Sequence, residues 1–229
     1  MRLEQLAQGY RYNSDSLMLY DFILRQGCSG EVLDVGCGCG ILGLLIKRDL
    51  PQCAVHAIDI QPENVALTQK NARANSLELE VQTGDFLTLS WRQCMDVIVS
   101  NPPFYHDGTQ KSQNPHLSLS RYATHLPLED FLDQAKRVLK PHGKVLFCYD
   151  AKQLGAIMHH LHASKLTLTA LQCVHPKASK IASLVLLEAK RSSKSLCEIL
   201  PPLVVNDMQG PTPQAATIFS KAGTVSVSC

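Results

Sequence analysis

Glu31-Val32-Leu33-Asp34-Val35-Gly36-Cys37-Gly38-Cys39-Gly40-Ile41-Leu42-Gly43-Leu44-Leu45-Ile46 is the stretch that decides the fold. Its first five residues read as a buried strand, the alternating glycines as a sharp turn, and the run from Ile41 as a buried helix ending near Lys47-Arg48. A strand that turns through glycine into a helix opens a parallel sheet wrapped by helices. The alternation continues on both sides. Upstream, Asn13 or Ser14 can cap a helix through Leu17, Tyr20, Ile23 and Leu24, which packs and helps cover a ligand. Downstream, residues 54–58 form a strand closed by Asp59, and Pro62 suits the first turn of a helix reaching about Asn75. Strands follow at 77–81 and 95–99, and a helix at 128–139 is stopped by Pro141-His142-Gly143. A fifth strand is expected at 144–149, a helix near 151–163, and a closing antiparallel pair at 166–174 and 181–187.

The 229 residues suit one domain with a full core, placed at 1–207 with 1–28 as an N-terminal cap segment. About 26 residues without periodicity separate the 95–99 strand from the helix at 128, which predicts a substrate loop. Residues 208–229, rich in Gly, Pro, Ser and Thr, are expected to be a loosely held tail. A hydrophobic fraction of 45% with 18% charged residues excludes a disordered chain, and no apolar run reaches the roughly 18 residues of a membrane span. Met1-Arg2-Leu3-Glu4-Gln5 does not read as a secretory leader, so a cytoplasmic location is expected. The nine cysteines are odd in number and form no C-x-x-C pair, which predicts reduced thiols. Two sets of residues could in principle hold a metal: Cys37 and Cys39 with a distant His, and His159, His160, His162. The first lacks the paired spacing of structural zinc and the second sits on an amphipathic helix, so no metal is expected. The net charge of +2 hides an asymmetry: residues 1–110 carry 8 Lys/Arg against 13 Asp/Glu, and residues 111–229 carry 14 against 7. The basic half is a candidate landing surface for a polyanion, although scattered solvated lysines give the same count.

The glycine turn points to a small ligand. Gly36, Gly38 and Gly40 remove side chains where backbone must approach a bound molecule. A dinucleotide fingerprint would need glycine at 41, where this chain has Ile41; the tighter G-x-G-x-G better suits a nucleoside with an amino-acid tail. Asp59, 19 residues after Gly40, can accept from both ribose hydroxyls, and Asp85 from an adenine amine with Phe86 beside the ring. Asp34 and Ile60 join this candidate set. Alternatively, the two acids are helix caps and the glycines a structural turn.

Ser100-Asn101-Pro102-Pro103-Phe104-Tyr105 follows the fourth strand, and its two prolines leave a surface of acceptors with few donors. The Asn101 side-chain carbonyl and the Pro102 backbone carbonyl can take both protons of a planar NH₂ group, with Phe104 stacked on the attached ring. A delocalised nitrogen is a poor nucleophile, and two such bonds draw electron density onto it for attack on a sulfonium methyl.

In the order GCGCG, Asp59, Asp85, NPPFY the chain resembles the amino methyltransferases of the class I S-adenosylmethionine superfamily. That resemblance implies a doubly wound, Rossmann-like, seven-stranded, mostly parallel sheet with a C-terminal antiparallel strand. More narrowly, residues 10–22, 121–130, His175-Pro176-Lys177 and Leu200-Pro201-Pro202-Leu203 resemble the tRNA(Val) adenine-N6 methyltransferase family, over residues 9 to about 207. The resemblance implies S-adenosyl-L-methionine as cofactor and RNA, specifically tRNA, as partner. By position, Gly36, Gly38, Gly40, Asp59 and Asp85 would hold the cofactor, and Asn101, Pro102, Pro103 and Phe104 the target amine. Asp15 would close over the methionine end, and Arg121, Lys177 and Lys180 are candidate phosphate contacts. The motif NPPF also occurs in rRNA guanine-N2 methyltransferases, so adenine and guanine stay open here. Glutamine methylation in a release factor, whose enzymes resemble this chain but carry a helical domain before the cofactor loop, and a catalytically inactive RNA-binding module are the remaining readings.

Overall fold

Beta-branched runs separated by turn residues become the strands of one large twisted sheet, and the helical-period segments between them cover its two faces. The computed structural model describes residues 1–6, 11–104 and 125–228. Its elements are β1 (Arg2–Gln5), α1 (Ser14–Gln26), β2 (Glu31–Val35), α2 (Ile41–Asp49), β3 (Ala54–Asp59), α3 (Pro62–Ala74), β4 (Glu80–Thr83) and β5 (Met95–Ser100). After these come α4 (Leu128–Val138), β6 (Leu139–Asp150), α5 (Leu154–Ala163), β7 (Leu166–Lys177), β8 (Leu184–Arg191), β9 (Glu198–Ile199), β10 (Leu203–Asn206), α6 (Pro213–Ala222) and β11 (Val225–Ser228). The main sheet runs β10-β7-β8-β6-β5-β2-β3-β4, with β9 paired to β7. Seven of these strands, β4 through β7 in that order, are the expected doubly wound sheet, and β8 is the antiparallel strand. The short β9 and β10, both parallel to β7, extend the expected seven to nine.

From β2 the chain winds outward through β3 to β4, then returns to lay β5 on the other side of β2. The strand order therefore reverses between β2 and β5, and ligands of such sheets bind outside the strand carboxyl ends at this point. Successive residues alternate between the two faces. Val32, Val97, Val99, Leu146 and Cys148 face α1, α2, α3 and α6, whereas Leu33, Ile98, Val145, Phe147 and Tyr149 face α4 and α5.

Three expectations on boundaries and order need correction. The third strand of the main sheet in chain order, β4, spans Glu80–Thr83 rather than 77–81; Leu77 and Leu79 pack on the core ahead of the strand instead of within it. The helix expected to reach 139 ends at Val138, and β6 starts at once because Leu139 pairs with Met95 before a bulge resets the register at Val97↔Lys144. Pro141-His142-Gly143 is that irregularity: His142 is left-handed (φ 65) and a Cβ at Gly143 would stand 3.0 Å from the Asp96 and Lys140 carbonyls. The segment expected to be a loose tail is ordered and packed. Thr212 caps α6 by accepting from Ala215 N, Pro213 opens it, and Gly223 ends it in the left-handed region. Its Ala215, Ile218 and Ala222 are buried, Arg48 donates to the Lys221 and Ala222 carbonyls at 2.9 and 2.6 Å, and β11 pairs with β1 in parallel. The substrate-loop expectation falls largely on residues 105–124, outside the described residues. Among the described residues no helix is long and apolar enough to cross a membrane.

Candidate active site

The glycine turn leaves β2 on a set of bonds that fix it from three sides. Gly36 N and Cys37 N both donate to Ile58 O, at 2.9 and 3.2 Å, and Gly38 N donates to Asp59 Oδ2 at 2.9 Å. From below, Ser100 Oγ donates to Val35 O at 2.9 Å. From α3, Thr68 Oγ1 donates to Gly38 O and Asn71 Nδ2 to Cys39 O, each at 2.9 Å. All three glycines are left-handed, but for different reasons. A Cβ at Gly36 or Gly38 would meet nothing within 4 Å, whereas one at Gly40 would stand 2.8 Å from Thr68 Cγ2. Gly36 and Gly38 thus keep ligand space clear, and Gly40 lets α3 pack against the turn.

That space is a cavity whose lining includes Gly36, Gly38, Asp59, Ile60, Asp85, Phe86, Asn101 and Pro103. A second cleft shares Gly36, Gly38 and Asn101 and adds Tyr12, Ser16, Asp34 and Cys37. Two joined spaces, one flanked by an apolar Ile60–Phe86 pair and two acids, the other by backbone and hydroxyls, fit an adenosine that carries an amino-acid tail. Asp85 caps the short helical turn after β4 and Asp59 holds Gln61 N ahead of α3, so each meets the structural alternative while also lining the cavity. Asp59 Oδ1 accepts from Gln61 N and Asp85 Oδ1 from Leu87 N, each at 2.9 Å. A carboxylate offers about four lone pairs, so capacity remains on each for hydroxyl or amine donors.

The other candidates sort as follows. Asn101 and Pro103 line the cavity and bring the candidate acceptor motif to the same space as the candidate cofactor residues. Pro102, between them in sequence, is buried. Phe104 packs against Tyr149, ring centroids 5.7 Å apart at 56°, and its carbonyl accepts from Gln153 Nε2 at 3.0 Å. Asp15 stands beside the second cleft, bonded with Asn13 at the start of α1, while its neighbours Tyr12 and Ser16 form the wall. Burial raises its carboxyl, and bonds from Asn13 and Ser14 oppose the rise. Lys177 and Lys180 are exposed at the β7–β8 turn, whose strand ends pair back to Asp150 at the carboxyl end of β6. Arg121 lies outside the described residues. Cys37 and Cys39 are buried thiols, the former 3.6 Å from Thr68 Oγ1, and burial pushes both up, Cys39 to about 12.

Sequence reasoning missed Gln61, Asn64, His125 and Leu126 in the cavity wall, and Ser16 behind Asn101. One signal was available: Asn64, Thr68 and Asn71 recur at helical spacing on the face of α3 that should have been apolar, and all three are buried. A polar stripe facing inward must be satisfied there, and Thr68 and Asn71 are satisfied by the glycine turn.

Asp34 has a separate role. Its carboxylate is 1% exposed and accepts from Gly43 N at 2.9 Å, tying β2 to the first turn of α2. Burial pushes its carboxyl up to about 7, the Gly43 bond opposes this, and the Asp59 carboxylate adds to it. The folded protein then holds this proton more tightly than the unfolded chain. The resulting contribution to stability is complete below the ordinary aspartate range near 3.8 and is lost as pH rises toward 7. Asp34→Asn keeps an acceptor for Gly43 without the titration. Its unfolding free energy, from urea melts, is expected to lack a fall of roughly one to a few kcal/mol that the parent shows between pH 4 and 7. Parallel pH curves for the two proteins would refute this account of Asp34.

Comparison with known proteins finds methyltransferases by sequence and by fold. The profile of the methyltransferase small domain family matches residues 13–164. The chain is 30% identical over 181 residues to the tRNA1(Val) (adenine(37)-N6)-methyltransferase of Porphyromonas gingivalis strain W83, covering 72% of this chain and 70% of that one. It is 43% identical over 89 residues to the ribosomal RNA small subunit methyltransferase C of Pseudomonas entomophila, covering 38% of this chain and 26% of that one. The chain thus spans about a quarter of that relative's length. Among solved structures, a predicted O-methyltransferase from Agrobacterium tumefaciens superposes with a TM-score of 0.71 at 15% identity over 93% of this chain and 99% of that one. A geranyl diphosphate C-methyltransferase from Streptomyces coelicolor, solved with S-adenosyl-L-homocysteine, does so at 0.57 and 13% over 76% and 78%. At such identities the structures share the fold.

Proposed function

The chain belongs to the methyltransferase small domain family, and from that premise we propose that this S-adenosylmethionine-dependent methyltransferase acts on an exocyclic amino group of an RNA base, adenine N6 in tRNA. One observation carries the reading: Asn101 and Pro103 line the same cavity as Gly36, Gly38, Asp59 and Asp85. An acceptor-rich surface against the cofactor space suits a donor group, and an amine with two protons is the donor that uses it fully. The bound cofactor supplies an electrophilic sulfonium methyl. The protein's own part is to hold the amine by the Asn101 and Pro102 carbonyls and to keep the reacting atoms aligned, so positioning and electrostatics carry the rate. Base extrusion costs least in a single-stranded loop, which favours a loop nucleotide as target. Lys177 and Lys180, at the sheet end that carries the motif, are the proposed phosphate contacts.

The rRNA relatives support a second reading, an rRNA base as acceptor, through higher identity over a shorter stretch, and the NPPF motif makes guanine N2 its candidate. The tRNA reading is preferred because its relative aligns over 72% of this chain against 38%. The test offers cofactor with a labelled methyl and, separately, unmodified tRNA, unmodified rRNA and a release factor. Label entering tRNA is the expected result; label entering rRNA alone, or protein alone, overturns the acceptor assignment, and no transfer to any of them favours an inactive RNA-binding module.

A further inference from the structure

Three elements meet on the side chain of Asn101. Its Nδ2 donates to Ser16 Oγ on α1 at 3.0 Å, and its Oδ1 accepts from Cys148 Sγ on β6, also at 3.0 Å. Ser16 is 2% exposed and Cys148 fully buried, so water does not compete for either partner. The terminal torsion of an asparagine is broad and roughly two-fold. Left to itself the carboxamide would turn its NH₂ toward the cavity as readily as its oxygen, and an NH₂ facing a substrate NH₂ offers no acceptor.

We propose that Ser16 and Cys148 are positioning residues that fix the carboxamide plane of Asn101 and thereby aim its carbonyl at the target amine. The inference rests on the reading of Asn101 as acceptor for that amine. The atoms balance: Oδ1 has two lone pairs, one taken by the thiol and one left for substrate, and one of the two Nδ2 hydrogens is spent on Ser16. A thiol suits the first of these places. It is a weak donor, so it directs the carbonyl without withdrawing the electron density that the substrate bond needs. Burial holds the Cys148 thiol well above its ordinary range, with the Asp15 carboxylate adding to the effect, so the S–H donor persists at neutral pH. Ser16 follows Asp15 directly, so the docking of α1 is part of how the acceptor motif is set.

The test is a cycle of variants read in single-turnover methyl transfer. Cys148→Ala is expected to slow transfer by at least about tenfold, with cofactor affinity within about threefold of the parent, because Cys148 touches neither cleft. Cys148→Ser, which keeps a donor, restores most of the rate. Ser16→Ala shows a similar loss in rate. In an Asn101→Ala background either substitution changes the rate by less than about twofold, since each acts through Asn101. Losses that persist undiminished in that background, or a Cys148→Ser variant as slow as Cys148→Ala with unchanged thermal stability, overturn the proposal. The cycle is run on whichever acceptor takes the label, so an error in the acceptor assignment does not decide it. Should no acceptor take label, the substrate-free protein decides it by Raman spectroscopy, in the S–H stretching band isolated as parent minus Cys148→Ser. A hydrogen-bonded band that moves to the free-thiol position on Asn101→Ala supports the clamp, and a band that ignores that substitution refutes it.

Discussion

Asn101→Ala is expected to slow methyl transfer by on the order of 10²–10³-fold while cofactor affinity falls no more than a few-fold. The side chain borders both ligand spaces, yet its polar atoms are turned to Ser16 and Cys148 rather than to the glycine turn. Truncation therefore removes the carbonyl proposed to align the amine and leaves the bonds of Gly36, Gly38 and Asp59 in place. Losing one preorganised group aimed at a reacting centre typically removes this much rate, because the remaining groups position substrate less tightly in a site shielded from water. Single-turnover rates beside calorimetric titration of the cofactor separate the two effects. Equal losses in rate and affinity would make Asn101 a cofactor ligand first, and an unchanged rate would remove it from the chemistry.

Asn71→Ala is expected to lower stability by about 3 kcal/mol, and the thermal midpoint by about 6–12 °C. The side chain is fully buried and uses nearly all its capacity: Nδ2 donates to Glu4 O at 3.0 Å and Cys39 O at 2.9 Å, and Oδ1 accepts from Glu4 N at 2.8 Å. It ties α3 to β1 on one side and to the cofactor turn on the other. Truncation strands backbone groups of both partners with little water to replace the lost bonds, and each such group costs about 1–3 kcal/mol. Cofactor affinity should fall as well, because Cys39 precedes the helix that opens at Ile41. A melting curve within about 2 °C of the parent would mean that the backbone finds other partners.

The central sheet and the two motifs were legible in the sequence because each is written locally. Strand, turn and helix succeed one another from Glu31 to Asp49, and the acids and NPPF fall at strand ends by position alone. Asp59, Asp85, Asn101 and Pro103 meet in one cavity because a doubly wound sheet brings its strand carboxyl ends together. What was missed depends on partners distant in sequence. Cys148 looked like any apolar strand residue; its meaning comes from alternation along β6, which turns it toward α1 and Asn101. Ser16 sits 85 residues before Asn101. In residues 208–229 small and polar composition masks the cap chemistry, in which Thr212, Pro213 and Gly223 spell a helix start and stop. Their buried face is made of Ala215, Ile218 and Ala222, in which a single large apolar residue between two alanines makes only a weak hydrophobic stripe. The β4 boundary slipped because Leu77 and Leu79 supply the alternation of a strand while packing beneath the sheet edge.

The central claim, an amino group of adenine as acceptor, is tested most directly by the nucleoside itself. Unmodified tRNA would be incubated with S-adenosylmethionine and the protein, digested to nucleosides and resolved by mass spectrometry against an Asn101→Ala control. N6-methyladenosine that appears with the parent protein and falls on the order of 10²-fold with the variant is the predicted result. N2-methylguanosine, or a methylated nucleoside formed equally well by both proteins, would contradict it.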